Sequence, residues 1–367
     1  MRKKFHPIET PPRSGEKAKD KPTDYKPIYT NWHTGMDVLA QQDAHLEPSI
    51  LSKQLSLVQS LTIKNKTRMR SVLLSYLFVL VACFGLYAQA WDGTTATPFA
   101  GEGTSDNPYR IETPAQLAYL AKQVNAGETY AGKHFLQTAN LDLGSKTWTP
   151  IGTTGIGTEK PFSGIYDGGN KTIANLVTDA SANRQALFSY LKDGIIRNLG
   201  IISGHIQATR TAAALVYTMK GENSLVEYCY NKASVTTGLH AAGIAIGART
   251  ISSCYNAGTI TCTNTQEGFA LGISYTADRI INCYNTGTIT AQGAKATIDG
   301  IGGSGEIITC YNASKIEATS TNAGNITSGA YAKVTSCYYD NELNNYAAFG
   351  SDKTTGTATG LSTHVML

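Results

Sequence analysis

Along the second half of the chain the same apolar frame recurs around a cysteine. Cys229, Cys254, Cys283, Cys310 and Cys337 each follow, by three residues, Val226, Ile251, Ile280, Ile307 or Val334. Six residues after each stands Val235, Ile260, Ile289, Ile316 or Leu343. Four of the five read Cys-Tyr-Asn, and the fifth is Cys337-Tyr338-Tyr339. Upstream, small-apolar pairs recur as Gly243-Ile244, Gly272-Ile273 and Gly300-Ile301. If leucine is allowed in the cysteine slot, the pattern extends back to Leu199 behind Ile196 and to Leu176 behind Ile173, with Leu187-Phe188 and Leu215-Val216 as the upstream pairs. That gives seven register-aligned units, whose length differences fall in polar stretches such as 263–267 and 319–322.

Each apolar group is too small to form a core alone and lacks helical spacing. Three short strands separated by turns fit one unit. Stacked at about 4.8 Å per coil, such strands pair with the neighbouring coils and their apolar positions merge into continuous columns. The pattern predicts a mainly β fold, a parallel β-solenoid, most simply a right-handed β-helix, over residues 161–345. The Leu176, Leu199, Cys229, Cys254, Cys283, Cys310, Cys337 series is its expected core column, with the thiols unpaired: a slot shared by Leu and Cys is a buried one. The Asn231, Asn256, Asn285, Asn312 series is expected to form a ladder of turns, since Asn tolerates positive φ.

Residues 91–160 differ from the repeats. Apolar positions at Leu117, Leu120, Ala121 and Val124 predict a helix, with Thr113 as N-cap and Pro114 at its first position. Phe135 to Leu143 reads as a strand. This segment is expected to be an N-terminal α/β cap closing the open end of the first coil. Ahead of it, Val72 to Ala88 is an uninterrupted apolar run, and 71–90 carries no charge. Two readings of this hydrophobic helix stay open: a signal peptide over 69–90 cut between Ala90 and Trp91, after Ala88-Gln89-Ala90, or a retained single-pass anchor. Either exports the following part to the cell envelope or surface, with the C-terminal part outside the cytoplasm. Leu80 to Cys83 also reads as a weak lipidation box. Residues 1–68 form a basic leader expected to be disordered, or untranslated if synthesis starts at Met69. Residues 346–367 read as a C-terminal tail in which Thr359 to Thr363 opens a further element.

Several stretches together resemble the GLUG-motif repeat proteins of bacterial cell surfaces, whose repeat segment also stands ahead of some surface metallopeptidases. They are Pro108 to Ile111, Leu117 to Leu120, Asn140 to Leu143, Trp148 to Gly152, Phe162 to Ile173 and the Cys-Tyr-Asn units. The resemblance covers about residues 105–345 and implies an exported β-helical module of an adhesin-like protein. The chain departs from the motif where Gly-Ile-Ala-Ile, Gly-Ile-Ser-Tyr and Gly-Ile-Gly-Gly stand.

Charge sharpens the picture. Residues 1–70 hold thirteen Lys/Arg against seven Asp/Glu, whereas 91–367 hold eighteen against twenty. The net charge of +4 therefore belongs to the leader, and no basic face for nucleic acid remains. With 36 glycines among 367 residues, helical bundles are excluded as well. No metal-ligand spacing or nucleophile elbow stands out, so no cofactor and no catalytic residue is expected. The acids between 200 and 336 (Glu222, Glu227, Glu267, Asp278, Asp299, Glu306 and Glu317) fall at different repeat offsets rather than as a stacked dyad. If each Cys faces inward, alternation turns Tyr230, Tyr255, Tyr284, Tyr311 and Tyr338 outward as a stripe. The stripe is either a ligand-contact surface for a glycan or a host or surface protein, or a ladder stacked on itself. The functional expectation is a non-enzymatic adhesion or recognition module; a glycan-active lyase or glycosidase, and a structural spacer within a larger protein, are the alternatives.

Overall fold

The computed structural model describes residues 90–366 apart from 97 and 156. The basic leader and the apolar run to Gln89 lie outside the described residues. Among the described residues no helix is long and apolar enough to cross a membrane.

The chain forms a parallel β-solenoid of about eight turns. Among the described residues the strands lie in three sheets of seventeen, seven and six strands. One turn runs through Ala245–Ser252 and Tyr255–Asn256 on the large sheet, Ile260–Cys262 on the second and Phe269–Leu271 on the third. It then re-enters the large sheet at Ser274–Ile281, in register with Ala245–Ser252. The interior is one large cluster of stacked, mostly aliphatic columns, with a small second cluster of Ala213, Ala242 and Ile246. Val226, Ile251, Ile280, Ile307 and Val334 occupy consecutive rungs and are at most 1% exposed. Ile206, Val235, Ile260, Ile289 and Ile316 likewise occupy consecutive rungs on the seven-stranded sheet, all buried.

The parallel ladder begins earlier than the expected boundary at 161. Tyr109–Ile111 pairs with His134–Gln137, which pairs with Ile165–Ala174. The segment read as a separate cap therefore already supplies rungs of the large sheet. Its helix, Pro114–Ala126, lies where the spacing places it, with a capping box between Thr113 and Gln116. Its buried Leu117, Leu120, Ala121 and Val124 join the core of the coils.

Leu199, Cys229, Cys254, Cys283, Cys310 and Cys337 form one column, all at most 1% exposed and the thiols free. Each of Cys229, Cys254, Cys283 and Cys310 donates its backbone N–H to the sulfur one coil on, at 3.4–3.5 Å. Burial pushes the Cys254 and Cys310 thiols well above their ordinary value. Leu176 does not belong to this column. Two extra residues sit in an irregularity between Asp167 and Lys171, which brings Lys171 opposite Leu199. Leu176 is carried onward to the second sheet, where it pairs with Gly204 and is fully buried. The same shift places Ile173 opposite Ile201 rather than Ile196. Leu343 also departs from its expected slot and is 42% exposed. The sheet edge at Ile316 is covered instead by Asn344, whose Oδ1 accepts the Ile316 N–H at 2.7 Å.

The asparagines are not the turn formers. Left-handed φ values of 48–57° fall one residue before the cysteine slot, at Asn170, Asn198, Tyr228, Ser253, Asn282, Thr309 and Ser336. The Asn231, Asn256, Asn285, Asn312 series instead points into the core, at most 1% exposed. Asn231 Nδ2 donates to Asn256 Oδ1 at 2.8 Å, Asn256 to Asn285 at 2.8 Å and Asn285 to Asn312 at 3.3 Å. Each of these three donors also reaches a backbone carbonyl two residues on, at Ala233, Gly258 or Gly287. The ladder ends at Asn312, whose Nδ2 lacks a partner because the next rung carries Tyr339.

Room for these amides comes from the recurring glycines. A Cβ on Gly272 would lie 2.0 Å from the Gly300 carbonyl oxygen and 2.7 Å from the Asn285 amide; Gly243 and Gly300 are confined in the same way against Asn256 and Asn312. Substituting Gly272→Ala should therefore destabilise the solenoid by about 3 kcal/mol, as overpacking of a tight core does. Urea unfolding measures this, and an unchanged midpoint would refute the packing.

Candidate functional site

The outward face of the large sheet carries the tyrosines. Because Cys and Asn flank each one inward, the pleat turns the rings to the surface, and in-register pairing sets Tyr230, Tyr255, Tyr284 and Tyr311 on successive rungs. Ring centroids are 4.9, 4.7 and 4.8 Å apart, with planes within 4–5° of parallel. The coil repeat thus imposes the stack. At its upstream end Gly200 occupies the tyrosine slot, and the Tyr230 ring lies where a Cβ on that glycine would be, 2.2 Å from the nearest ring carbon. Lys232 Nζ stands 5.5 Å from the Tyr230 ring centre. Tyr338 continues the register beyond Tyr311 and pairs onward with Thr359.

With ring faces against one another, the column offers edges and hydroxyls rather than flat platforms. Burial, reinforced by the neighbouring phenols, pushes the Tyr284 hydroxyl far above its ordinary value, and burial raises Tyr311 to about 12. Tyr284 and Tyr311 accordingly keep their protons at physiological pH, and a phenol hydroxyl can both donate and accept hydrogen bonds. At the other predicted position, Ala90 is exposed and Trp91 packs edge-on to Trp148 at 5.7 Å.

A second aromatic group escaped the repeat pattern. His240 stacks on Tyr275 at 4.3 Å, and Phe269 meets both rings edge-on. These residues lie on the third sheet and on the strand following it, so no single column announces them.

Several of the acids pair with bases at the surface, and one is buried. Asp278 pairs with Arg249, Arg279 with Glu306 at 3.5 Å and Lys315 with Glu317 at 2.7 Å. All are substantially exposed, where such pairs contribute little. Asp299 is fully buried, following Ala213, Ala242 and Leu271 on consecutive rungs. Its Oδ1 accepts from Ser328 N–H and Oγ at 2.5 Å each, while Oδ2 has no partner. Burial outweighs the Ser328 hydrogen bonds and raises its pKa to about 7. The readable signal was an acid interrupting a small-apolar column. Among the described residues no group of three or more His, Cys, Asp or Glu side chains is placed to hold a metal.

No family model matches the chain. Over 154 residues it is 27% identical to a candidate Gly-rich membrane protein of Evansella cellulosilytica, covering 41% of this chain and 17% of that protein. Over 142 residues it is 31% identical to halomucin of Haloquadratum walsbyi, covering 35% of this chain and 2% of that one. The chain thus spans less than a fifth of the length of the curated relatives it matches. Among solved structures, a candidate immunoglobulin A1 protease from Bacteroides ovatus has a TM-score of 0.60 at 21% identity, over 72% of this chain and 87% of its own. That likeness shows a shared fold. The relatives fit a repeat protein of the cell surface or membrane.

The Asp299 carboxyl generates a signed pH dependence. With its pKa raised from 3.8 unfolded to about 7 folded, the native state binds the extra proton between those values. Stability should be highest near pH 4, fall by at most roughly 4 kcal/mol toward pH 7, and then stay level. Urea midpoints across pH 4–8 should lose this slope in Asp299→Asn; an identical slope in the variant would contradict the assignment.

Proposed function

We propose that the chain is a non-enzymatic β-solenoid displayed at the cell envelope, where it serves attachment or recognition. The carrying observation is the outward tyrosine stack, a row of phenol edges held at the coil repeat. The relatives support the setting, one of them being named for a membrane. In this reading the apolar run before Trp91 exports the solenoid, by cleavage after Ala90 or as a retained anchor, and the GLUG-like repeats belong to an adhesin-like surface module. The coils wind right-handed, as parallel crossover connections nearly always do. Partners are glycans or proteins of a host or neighbouring surface.

A second reading, a glycan-active enzyme, draws on Asp299, a carboxyl that keeps its proton near neutrality as a general acid must. Its complete burial under Ser328 keeps it from a substrate and weighs for attachment.

Replacing Tyr284→Phe together with Tyr311→Phe keeps the ring stack and removes two hydroxyls. The full chain carrying both changes should retain its melting temperature within about 2 °C, since the rings still pack. Its binding to glycan arrays and immobilised matrix proteins should fall. Undiminished binding would remove the stripe from the reading, and no binding by the wild-type chain would overturn recognition itself.

A further inference from the structure

Tyr331 stands apart from the ladder in two ways. At 73% exposure it is the most exposed large hydrophobic side chain among the described residues. Its φ is 69°, a left-handed value that a bulky side chain adopts only under constraint. Lys353 Nζ lies over its ring, 5.3 Å from the centre, and steadies it.

The ring borders a shallow, open cleft of about 540 Å³ whose other side chains include Asp278, Arg279, Ser304, Glu306 and Lys333. Arg279, Glu306 and Lys333 occupy successive rungs of one outward column, so donors and acceptors alternate at the coil repeat. The two acids and two bases of the lining cancel in formal charge, with Arg249, which pairs with Asp278, and Lys353, over the Tyr331 ring, as two further bases in contact with it. An anion would gain from one pair and lose to the other, and so would a cation. A neutral polyhydroxylated ring can use both, with hydroxyls donating to the carboxylates and accepting from Arg279 and Lys333. The apolar face of the same ring can lie against an exposed phenol.

We propose that this cleft is a subsite for a neutral oligosaccharide, with Tyr331 as stacking platform and Arg279 and Glu306 as the hydroxyl-binding pair. The site is separate from the tyrosine stack and goes beyond the attachment reading, naming its own residues and ligand class.

Calorimetric titration of the full chain in a non-glycosidic detergent tests it, with xylohexaose, cellohexaose and mannohexaose as neutral probes and hexagalacturonate as an acidic one. At least one neutral hexaose should bind. Tyr331→Ala should weaken it about tenfold, the scale of one aromatic contact. Tyr331→Gly, which accepts the positive φ without strain, should do the same, while Tyr331→Trp should retain binding. Glu306→Gln should weaken binding severalfold. The proposal fails if no neutral hexaose binds at millimolar concentration, if only hexagalacturonate binds, or if both Tyr331→Ala and Tyr331→Gly bind normally. Loss of binding in Tyr284→Phe with Tyr331→Ala unaffected would move the sugar to the stack, overturning the cleft while leaving recognition intact.

Discussion

A buried primary amide must find partners for two N–H donors and a carbonyl oxygen, and in this solenoid it finds them partly within its own turn and partly one coil away. Asn231, Asn256 and Asn285 each spend one donor on a backbone carbonyl two residues on and the other on the next asparagine. Leaving such a group unpaired in the core costs on the order of 1–3 kcal/mol. A slip of one residue would strand several of them at once. The ladder therefore reinforces the register that the buried isoleucine columns set, since a one-residue slip would turn both toward solvent. It also dictates the opposite wall, because only glycine at 243, 272 and 300 leaves space for the amides.

Register fixed inside the solenoid propagates outward. Each Asn and Cys that points inward holds the intervening tyrosine on the surface, and successive rings meet face to face at the rung spacing. The same register aligns Arg279, Glu306 and Lys333 into an alternating column. Neither surface feature requires a loop to fold around a ligand. Both are consequences of the way coils stack, and a rigid repeated pattern of this kind fits the proposed attachment role.

The repeat was legible because cysteine, tyrosine and asparagine recur at one offset, and a slot that admits both Leu199 and Cys229 can only be buried. The conformation at the corner was not legible. Its left-handed residues are Asn170, Asn198, Tyr228, Ser253, Asn282, Thr309 and Ser336, three asparagines among four other side chains, so no one residue type marks the corner. The asparagines nearby drew the turn assignment instead, since their propensity suits a turn as well as a ladder. Leu176 was misplaced because two residues inserted between Asp167 and Lys171 shift everything after them. The Gly-Ile pairs were visible as a pattern, but their cause, the amide packed against each glycine, is a contact between distant parts of a coil. Tyr331 belongs to no repeated motif, and Asp299 stands out only once it is aligned with Ala213, Ala242 and Leu271 on consecutive rungs.

The central claim is that the asparagine ladder is buried and joined from coil to coil. It is tested most directly by solvent exchange of side-chain amide protons in the chain labelled with ¹⁵N-asparagine. The Nδ2 protons of Asn231, Asn256 and Asn285 should exchange orders of magnitude more slowly than those of exposed asparagines such as Asn223. Exchange of these three at the rate of Asn223 would contradict the account.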